Sequence, residues 1–416
     1  MVNDVSEMPE AWIIDAARTP RGIGKPGVGA LSSVHPQRIL STVLQALEKR
    51  SGLTTGDIDD VIVGCFSQVG RQGGCIARLS VLDAGWGDEP PGFTVNRYCG
   101  SGLTAVNLAV MGICSGAQKL LISGGVEQMS GVPSVAAPTP FDCGNTHLRA
   151  QHAQTHQGIC ADLVASIEGI TREELDSFAY HSQQRAAAAM KEGAFSRSIV
   201  PVHNDDGTLA LDKDEYPRPA TTRERLAGLK PAFEGMMDLS VEPGGPTYRQ
   251  LLRRDYGDVR VAHVHHAGNS SGIVDGAGAV VLASSAYAKA KGLKPRARIR
   301  AITTSGGSPE LMLNAPAPAA RKALKSAGMT TDDIDLIEIN EAFAVVPLKF
   351  MREMDVDHSK VNVVGGAIAL GHPIGATGAI LLGTLLDELE RRDLTTGLVT
   401  MCTGGGMAPC TIIERI

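Results

Sequence analysis

Four short stretches carry groups that could do chemistry, and three of them set a nucleophilic or proton-transferring side chain near glycine. Cys99 stands in "VNRYCGSG" (95–102). At a helix start, unpaired backbone N–H groups and the helix dipole favour a thiolate, which makes such a sulfur a usable nucleophile. A free cysteine is as often a small buried hydrophobe, and for Cys99 alone both readings stand. His372 stands in "GHPIGATGA" (371–379). An imidazole on a rigid turn can take a proton from a thiol or donate to a developing oxyanion, and beside Pro and Gly it can equally be a hydrogen-bonded loop residue. Cys402 opens the glycine run of "MCTGGGMAPC" (401–410). Bare backbone N–H groups there can approach a ligand closely, and the same residues fit a hairpin turn with "MAPCTIIERI" as the returning strand. Asn340 in "EINEAFA" (338–344) ends an apolar run with its amide free, and Glu341 is expected to open the next helix. An Asn at that place is also a common N-cap.

What must position these groups is a set of strand ends. "PGFTVNRY" reads as a short buried strand before Cys99, and "LTAVNLAVMGICSGA" after it has helical spacing. "VNVVGGAIAL" reads as the strand before His372, and "TGLVTM" as the strand before Cys402. Two cysteines, a histidine and an asparagine therefore all fall at strand ends or strand-to-helix turns, which converge on the ligand crevice of a parallel sheet.

The chain also repeats itself. "GLTTGDID" (52–59) recurs without gaps as "GMTTDDID" (328–335), each after a helix-like stretch and before an apolar strand, and "VNRYCG" (95) is echoed by "VNVVGG" (361). Two matches in the same order point to two halves of similar fold. Alternating strands and helices in both halves predict βαβ units with mostly parallel, helix-covered sheets. Between the halves, roughly residues 131–261 change character: "SGVPSVAAPTPFDCG", a His/Gln-rich patch, a helical stretch "TREELDSFAYHSQQRAAAAMKEGAF", then Pro and charge mixtures. This reads as an inserted loop-rich domain, giving a first half of 1–130 plus 262–290 and a second half of 291–416.

A chain of 416 residues can bury a sizeable core, and its net charge of −6 offers no basic footprint for nucleic acid or an anionic membrane surface. Eight cysteines without a CxxC pair, behind an opening "MVNDVSEMPEAW" that lacks secretory-signal character, are expected in a reducing cytoplasm. No run approaches the roughly 18 apolar residues of a membrane span.

The ordered set "NRYCGSGLTAV", "AGNSSGIVDGAGAV", "NEAFA", "GGAIALGHPIGATGA" and "CTGGGM" closely resembles the thiolases, the acyl-CoA C-acetyltransferases, from "IIDAARTPRG" near residue 13 to the C-terminus. The resemblance implies a duplicated α/β thiolase fold, layered α-β-α-β-α, with a loop domain inserted into the first half, in homodimers or homotetramers. It implies reversible CoA-dependent cleavage of a 3-ketoacyl-CoA, as in β-oxidation, with no permanently bound cofactor and with coenzyme A and acyl-CoA as the partners. Carried over motif by motif, Cys99 is the nucleophile that becomes acylated, His372 its base, and Cys402 the acid/base at the α-carbon of acetyl-CoA. Asn340 holds a water that forms one oxyanion hole with His372, and the N–H groups of Cys99 and Gly404 form the other. Arg218 in "DEYPRPATT" is implied at the nucleotide end of CoA. Ser271, His156, Ala342 and Phe343 are implied along the substrate and pantetheine slot. A lone Arg specifies little, and a surface ion pair is the competing reading of Arg218.

Departures from the family pattern are concentrated near the insertion. "VRVAHVHHAGN" clusters His263, His265 and His266; on a strand the first two share one face and the third the other, no carboxylate completes a set, and no metal is expected. Some thirty residues after Phe233, including "GMMDLSVEPGGPTYRQLLRRDYGDVR", exceed the family's usual length there and are expected to reshape the acyl pocket or the oligomer contacts. Gln157 stands where the family commonly carries an apolar Met. A ketoacyl synthase would need a second catalytic His in place of Cys402 and would lack "NEAFA". A silent acyl-CoA binder would have no need of two placed thiols, and a redox-sensing thiol would need a resolving cysteine close to Cys99.

Overall fold

The structure, a computed structural model, describes residues 9–132 and 141–416; the opening residues and part of the stretch "SGVPSVAAPTPFDCG" lie outside the described residues. The described residues form twelve strands: β1 (Ala11–Arg18), β2 (Gly22–Ile23), β3 (Asp60–Gly64), β4 (Phe93–Val95), β5 (Leu120–Gln128), β6 (Val202–His203), β7 (Leu209–Leu211), β8 (Val274–Ser284), β9 (Ala297–Gly306), β10 (Leu336–Ile339), β11 (Thr396–Thr400) and β12 (Met407–Arg415). Ten of them join in the order β10-β11-β12-β9-β1-β8-β5-β3-β4, with β2 on β8, while β6 and β7 pair separately.

The duplication is visible in the strand order. β3-β5-β8-β1 in the first half and β10-β11-β12-β9 in the second share one sequence of senses: a parallel pair, then two antiparallel pairs. The sequence repeat marks equivalent corners. Helices Pro36–Ser51 and Pro316–Ala327 each carry Pro in the first turn and stop at a left-handed glycine, Gly52 (φ 62°) and Gly328 (φ 68°), before a 3-10 turn at Thr55–Asp57 or Thr331–Asp333. The two half-sheets meet edge to edge where Trp12 and Ile13 of β1 pair with Arg298 and Ala297 of β9.

The expected mostly parallel sheets are corrected to a mixed sheet. Among the named strands, parallel pairing is confined to β3 with β4, β3 with β5, and β10 with β11. The last strand of each half returns antiparallel: β12 follows β11 by a short turn, whereas β8 follows β5 only after residues 129–273. The insertion thus occupies in the first half the place of the triple-glycine turn in the second. It is also less loop-rich than its composition predicts, holding helices Gln157–Glu168, Arg172–Lys191 and Tyr248–Tyr256; the middle one starts from a Thr171/Glu174 capping box. The predicted return at 262 falls in an irregular stretch, and the chain rejoins the sheet at Val274.

Two further strand expectations fail for identifiable reasons. "PGFTVNRY" yields only β4, at the sheet edge rather than buried, with Phe93 40% exposed. "VNVVGGAIAL" is not a strand: it makes one bridge, Val361 to Ile337, and then turns into the short helix Ala367–Leu370. Asn362 (φ 48°) and Gly365 (φ 78°) take left-handed conformations there. The Asn362 amide replaces the lost ladder, its Oδ1 accepting from Ile339 N (2.9 Å) and its Nδ2 donating to Ile339 O (2.8 Å).

Helices Ser101–Cys114 and Thr377–Arg391 pack against each other and against strands of both halves, forming the middle layer, while Pro36–Ser51 and Pro316–Ala327 cover the outer faces. Close approach needs glycine: a Cβ on Gly102 would lie 2.7 Å from Gly375 O, and one on Gly378 would lie 2.3 Å from Leu103 N. This contact brings the starts of both central helices, and so Cys99 and His372, to one place. Among the described residues no helix is long and apolar enough to cross a membrane.

Candidate active site

Cys99 occupies a tight turn between β4 and the first central helix. Tyr98 before it is left-handed (φ 49°), held by Asn96 Oδ1 accepting from Tyr98 N (2.8 Å) and by Ser101 Oγ donating to Tyr98 O (2.6 Å). Gly100 lies against Thr403, where a Cβ would meet Cγ2 at 2.6 Å, so the Cys99 turn and the glycine turn Gly404–Gly406 are pressed together. The expected lowering of the thiol by the helix start is overridden. Burial pushes Cys99 up to about 12, and the backbone N–H groups of Cys99 and Gly404 beside the sulfur pull the other way without winning. The resting group is a thiol that needs a base.

His372 supplies one. Its Nδ1 lies 2.6 Å from Thr377 Oγ1, and that hydroxyl donates to Pro373 O (2.9 Å). With its only proton committed, Thr377 must accept, so Nδ1 carries the ring proton and Nε2 presents a lone pair. Asn340 Nδ2 donates to that Nε2 (3.4 Å). Burial, with the Arg21 guanidinium, lowers His372 to about 3, so the ring is neutral at physiological pH. Asn340 caps nothing, since Ala344 precedes helix Val345–Met354; its Oδ1 is buried without a partner, an acceptor fit for a water or a substrate donor.

Cys402 lies two residues past β11 and is buried; burial and the nearby Cys99 sulfur both raise its thiol. The following glycines form the anticipated hairpin turn, and β12 returns along β11.

Glu341 does not open a helix. Fully buried, it accepts from Ser182 Oγ (2.7 Å), Asn362 Nδ2 (2.9 Å) and Ile368 N (3.1 Å), tying "NEAFA" to the chain that leads into His372. Glu127, at the end of β5, does the same from the other half, accepting from Phe66 N, Ser67 N and Gly375 N. Sequence reasoning missed Glu127 and Thr377. Thr377, five residues after His372 at the helix start, was the more legible of the two.

A cavity of about 260 Å³ opens over Cys99 and His372. His156, Ser271, Ala342 and Phe343 line it, as the sequence leads one to expect, together with Gln157 and the unanticipated Met129, Ile273 and Ile374. Phe233 and Met236 complete the wall; Met236 belongs to the extra segment, which packs Met237, Val241, Tyr248, Leu251 and Leu252 onto Ile159 and Leu163. Arg218 is not in this wall. It is exposed, stacks on Tyr216 (5.4 Å), and makes no ion pair among the described residues. A larger hollow, about 570 Å³, holds no cysteine or histidine, and its Arg50, Arg197 and Arg296 are paired with Asp15, Glu390 and Asp387.

The histidine cluster is corrected on two counts. Residues 257–266 form no strand, and carboxylates do meet the rings: Asp162 pairs with His263 Nδ1 (2.9 Å) and His265 Nδ1 (2.8 Å), and Asp176 with His266 Nε2 (2.8 Å). The helices of the insertion bring both acids in from far along the chain. No group of three or more His, Cys, Asp or Glu among the described residues is arranged to hold a metal ion.

Residues 11–238 match the model of the thiolase N-terminal domain and residues 293–415 that of the thiolase C-terminal domain. The chain is 41% identical to the steroid 3-ketoacyl-CoA thiolase of Mycobacterium tuberculosis, over 98% of this chain and 95% of that protein. It is 40% identical to the acetyl-CoA acetyltransferase of Escherichia coli, over 98% of this chain and 100% of that protein. Among solved structures, the Bacillus anthracis acetyl-CoA acetyltransferase superposes with a TM-score of 0.84 at 36% identity, covering 99% of this chain and 100% of that one. Human mitochondrial 3-ketoacyl-CoA thiolase does so with a TM-score of 0.84 at 32% identity and the same coverage. Matched along both halves by family models and by relatives of full length, the chain belongs to the thiolase family.

Proposed function

We propose that the protein is a thiolase, catalysing reversible CoA-dependent cleavage of a 3-ketoacyl-CoA to acetyl-CoA and a shortened acyl-CoA. The observation that carries this reading is the junction of the two central helices, where Cys99 and His372 line one cavity, Asn340 is bonded to the neutral His372 and the Cys402 thiol lies near that of Cys99. In cleavage, Cys99 passes its proton to His372 Nε2 as the sulfur attacks the 3-keto carbon. The N–H groups of Cys99 and Gly404 suit the oxyanion that forms. Collapse breaks the bond between C2 and C3, and the leaving fragment is the enolate of acetyl-CoA. The enolate is too basic to depart unaided: a water held by Asn340, with the protonated His372, stabilises its oxygen while Cys402 protonates its carbon. Free CoA then gives its thiol proton to the Cys402 thiolate and attacks the acyl-cysteine, and the departing Cys99 sulfur takes its proton back from His372, a double displacement that runs backwards as Claisen condensation.

CoA is a substrate in this scheme and no resident cofactor is required, because Cys99 itself carries the acyl group. Ser271, His156, Ala342 and Phe343 flank the pantetheine and acyl chain, and Arg218 attends the nucleotide end. The division into halves 1–130 plus 262–290 and 291–416 with an insertion at 131–261 belongs to the same reading. So do the homodimer or homotetramer, for which the open β4 edge with exposed Phe93 offers a surface, and a cytoplasmic setting, in keeping with free cysteines throughout. Mass spectrometry after mixing with acetoacetyl-CoA tests the proposal: an acetyl adduct on Cys99, discharged by CoA, is expected. Binding without an adduct would make the protein a silent acyl-CoA binder.

A further inference from the structure

Resting on the thiolase reading, we infer that Gln157 selects the acyl group: the cavity favours a 3-ketoacyl-CoA whose chain carries an uncharged hydrogen-bonding oxygen, such as a hydroxyl, over a plain aliphatic chain or one ending in a carboxylate. Most of the wall is apolar, built from Met129, Phe233, Met236, Ile273, Phe343 and Ile374. Among the lining residues only Gln157 carries a side-chain amide. Gln157 is the first residue of helix Gln157–Glu168, is half-buried, and has no hydrogen-bond partner among the described residues.

The other polar groups of the wall are engaged or assigned. His156 Nδ1 accepts from Gly158 N (3.1 Å), which leaves its Nε2–H, like Ser271, to the slot proposed for pantetheine, and Ser270 Oγ donates to His266 O (2.9 Å). The position of Gln157 is rigid, because Phe233 packs flat on the helix start where a Cβ on Gly158 would lie 2.4 Å from its ring, and Phe233 meets Phe343 edge-on at 5.9 Å. An aliphatic chain filling this space strips water from the amide and returns nothing, whereas a hydroxyl pairs with it.

A carboxylate fares worse. No Lys or Arg lines the cavity, and burial lowers the pKa of His156, so no cation meets an anion there.

The test uses three 3-oxo chains of equal length, 3-oxohexanoyl-CoA, 6-hydroxy-3-oxohexanoyl-CoA and 3-oxoadipyl-CoA, with acetoacetyl-CoA as the reference. The intact enzyme should prefer the hydroxylated chain to the aliphatic one by about fivefold in kcat/KM, the worth of one neutral hydrogen bond. Gln157→Met, which keeps the length of the side chain, should reverse that preference, and Gln157→Leu should do so independently. A hydroxyl-to-aliphatic ratio unchanged by both substitutions, or a preference for the carboxylate, overturns the inference while turnover of acetoacetyl-CoA leaves the thiolase reading standing. Failure of the unaltered enzyme to turn over any of the four compounds removes both.

Discussion

The tautomer of His372 hangs on one hydroxyl, and removing it gives a quantitative test. Thr377→Val nearly conserves shape but deletes the acceptor 2.6 Å from Nδ1. Because the site is buried, Nδ1–H is then left unpaired, at about 1–3 kcal/mol, or the ring adopts the other tautomer and Nε2 loses the lone pair that must take the Cys99 proton. Either way the acylation barrier rises by that amount, slowing acyl-enzyme formation by about 5- to 150-fold. Thr377→Ser restores the hydroxyl and should stay near the unaltered rate. The assay is rapid-quench mass spectrometry of Cys99 acetylation by acetoacetyl-CoA, beside steady-state thiolysis. The loss should fall on kcat/KM for acetoacetyl-CoA, which in a double displacement reports the acylation half-reaction. If Thr377→Val acylates as fast as Thr377→Ser, the hydroxyl does not set the tautomer and the reasoning is wrong.

Four other outcomes follow from the same geometry. With its thiol pushed up to about 12 and no imidazolium partner at rest, Cys99 should be alkylated by iodoacetamide about tenfold faster per pH unit from roughly pH 6 to 9; a plateau in that range would indicate a preformed thiolate–imidazolium pair. Cys402→Ala should still acquire an acetyl group on Cys99 yet fail to form the carbon–carbon bond in condensation, and equal loss of both half-reactions would contradict its assigned role. Glu341→Gln leaves one acceptor oxygen for three donors and should lower stability by about 2 kcal/mol in urea melts, with His372-dependent activity falling in parallel. Gly125→Ala drives a methyl to 2.0 Å from Gly375 O, so a loss of about 1–3 kcal/mol is expected, and a neutral result would mean that the loop before the second central helix yields easily.

Short-range chemistry was legible in the sequence. The duplicated "GLTTGDID" and "GMTTDDID" mark the same corner in both halves because a left-handed glycine stop and a 3-10 turn are properties of a few adjacent residues. The turns at Cys99, His372 and Cys402 were placed by glycine in the same way, and His156, Ser271, Ala342 and Phe343 were found in the cavity wall through motif likeness. What failed depended on partners distant in the chain. "VNVVGGAIAL" has the pattern of a strand, but left-handed Asn362 and Gly365 leave its ladder to a side chain. The histidines of "VRVAHVHHAGN" met Asp162 and Asp176, which no local spacing announces.

Sequence alone determined which groups are the candidates for the chemistry, and the repeat that the strand order reproduces. Tertiary structure decided their state: burial keeps Cys99 a thiol and His372 neutral, Thr377 assigns the ring proton, and the close glycine contact of the central helices joins the two sets of turns. Proton affinity depends on how much water is excluded and which dipoles remain, and both are fixed only when distant segments pack.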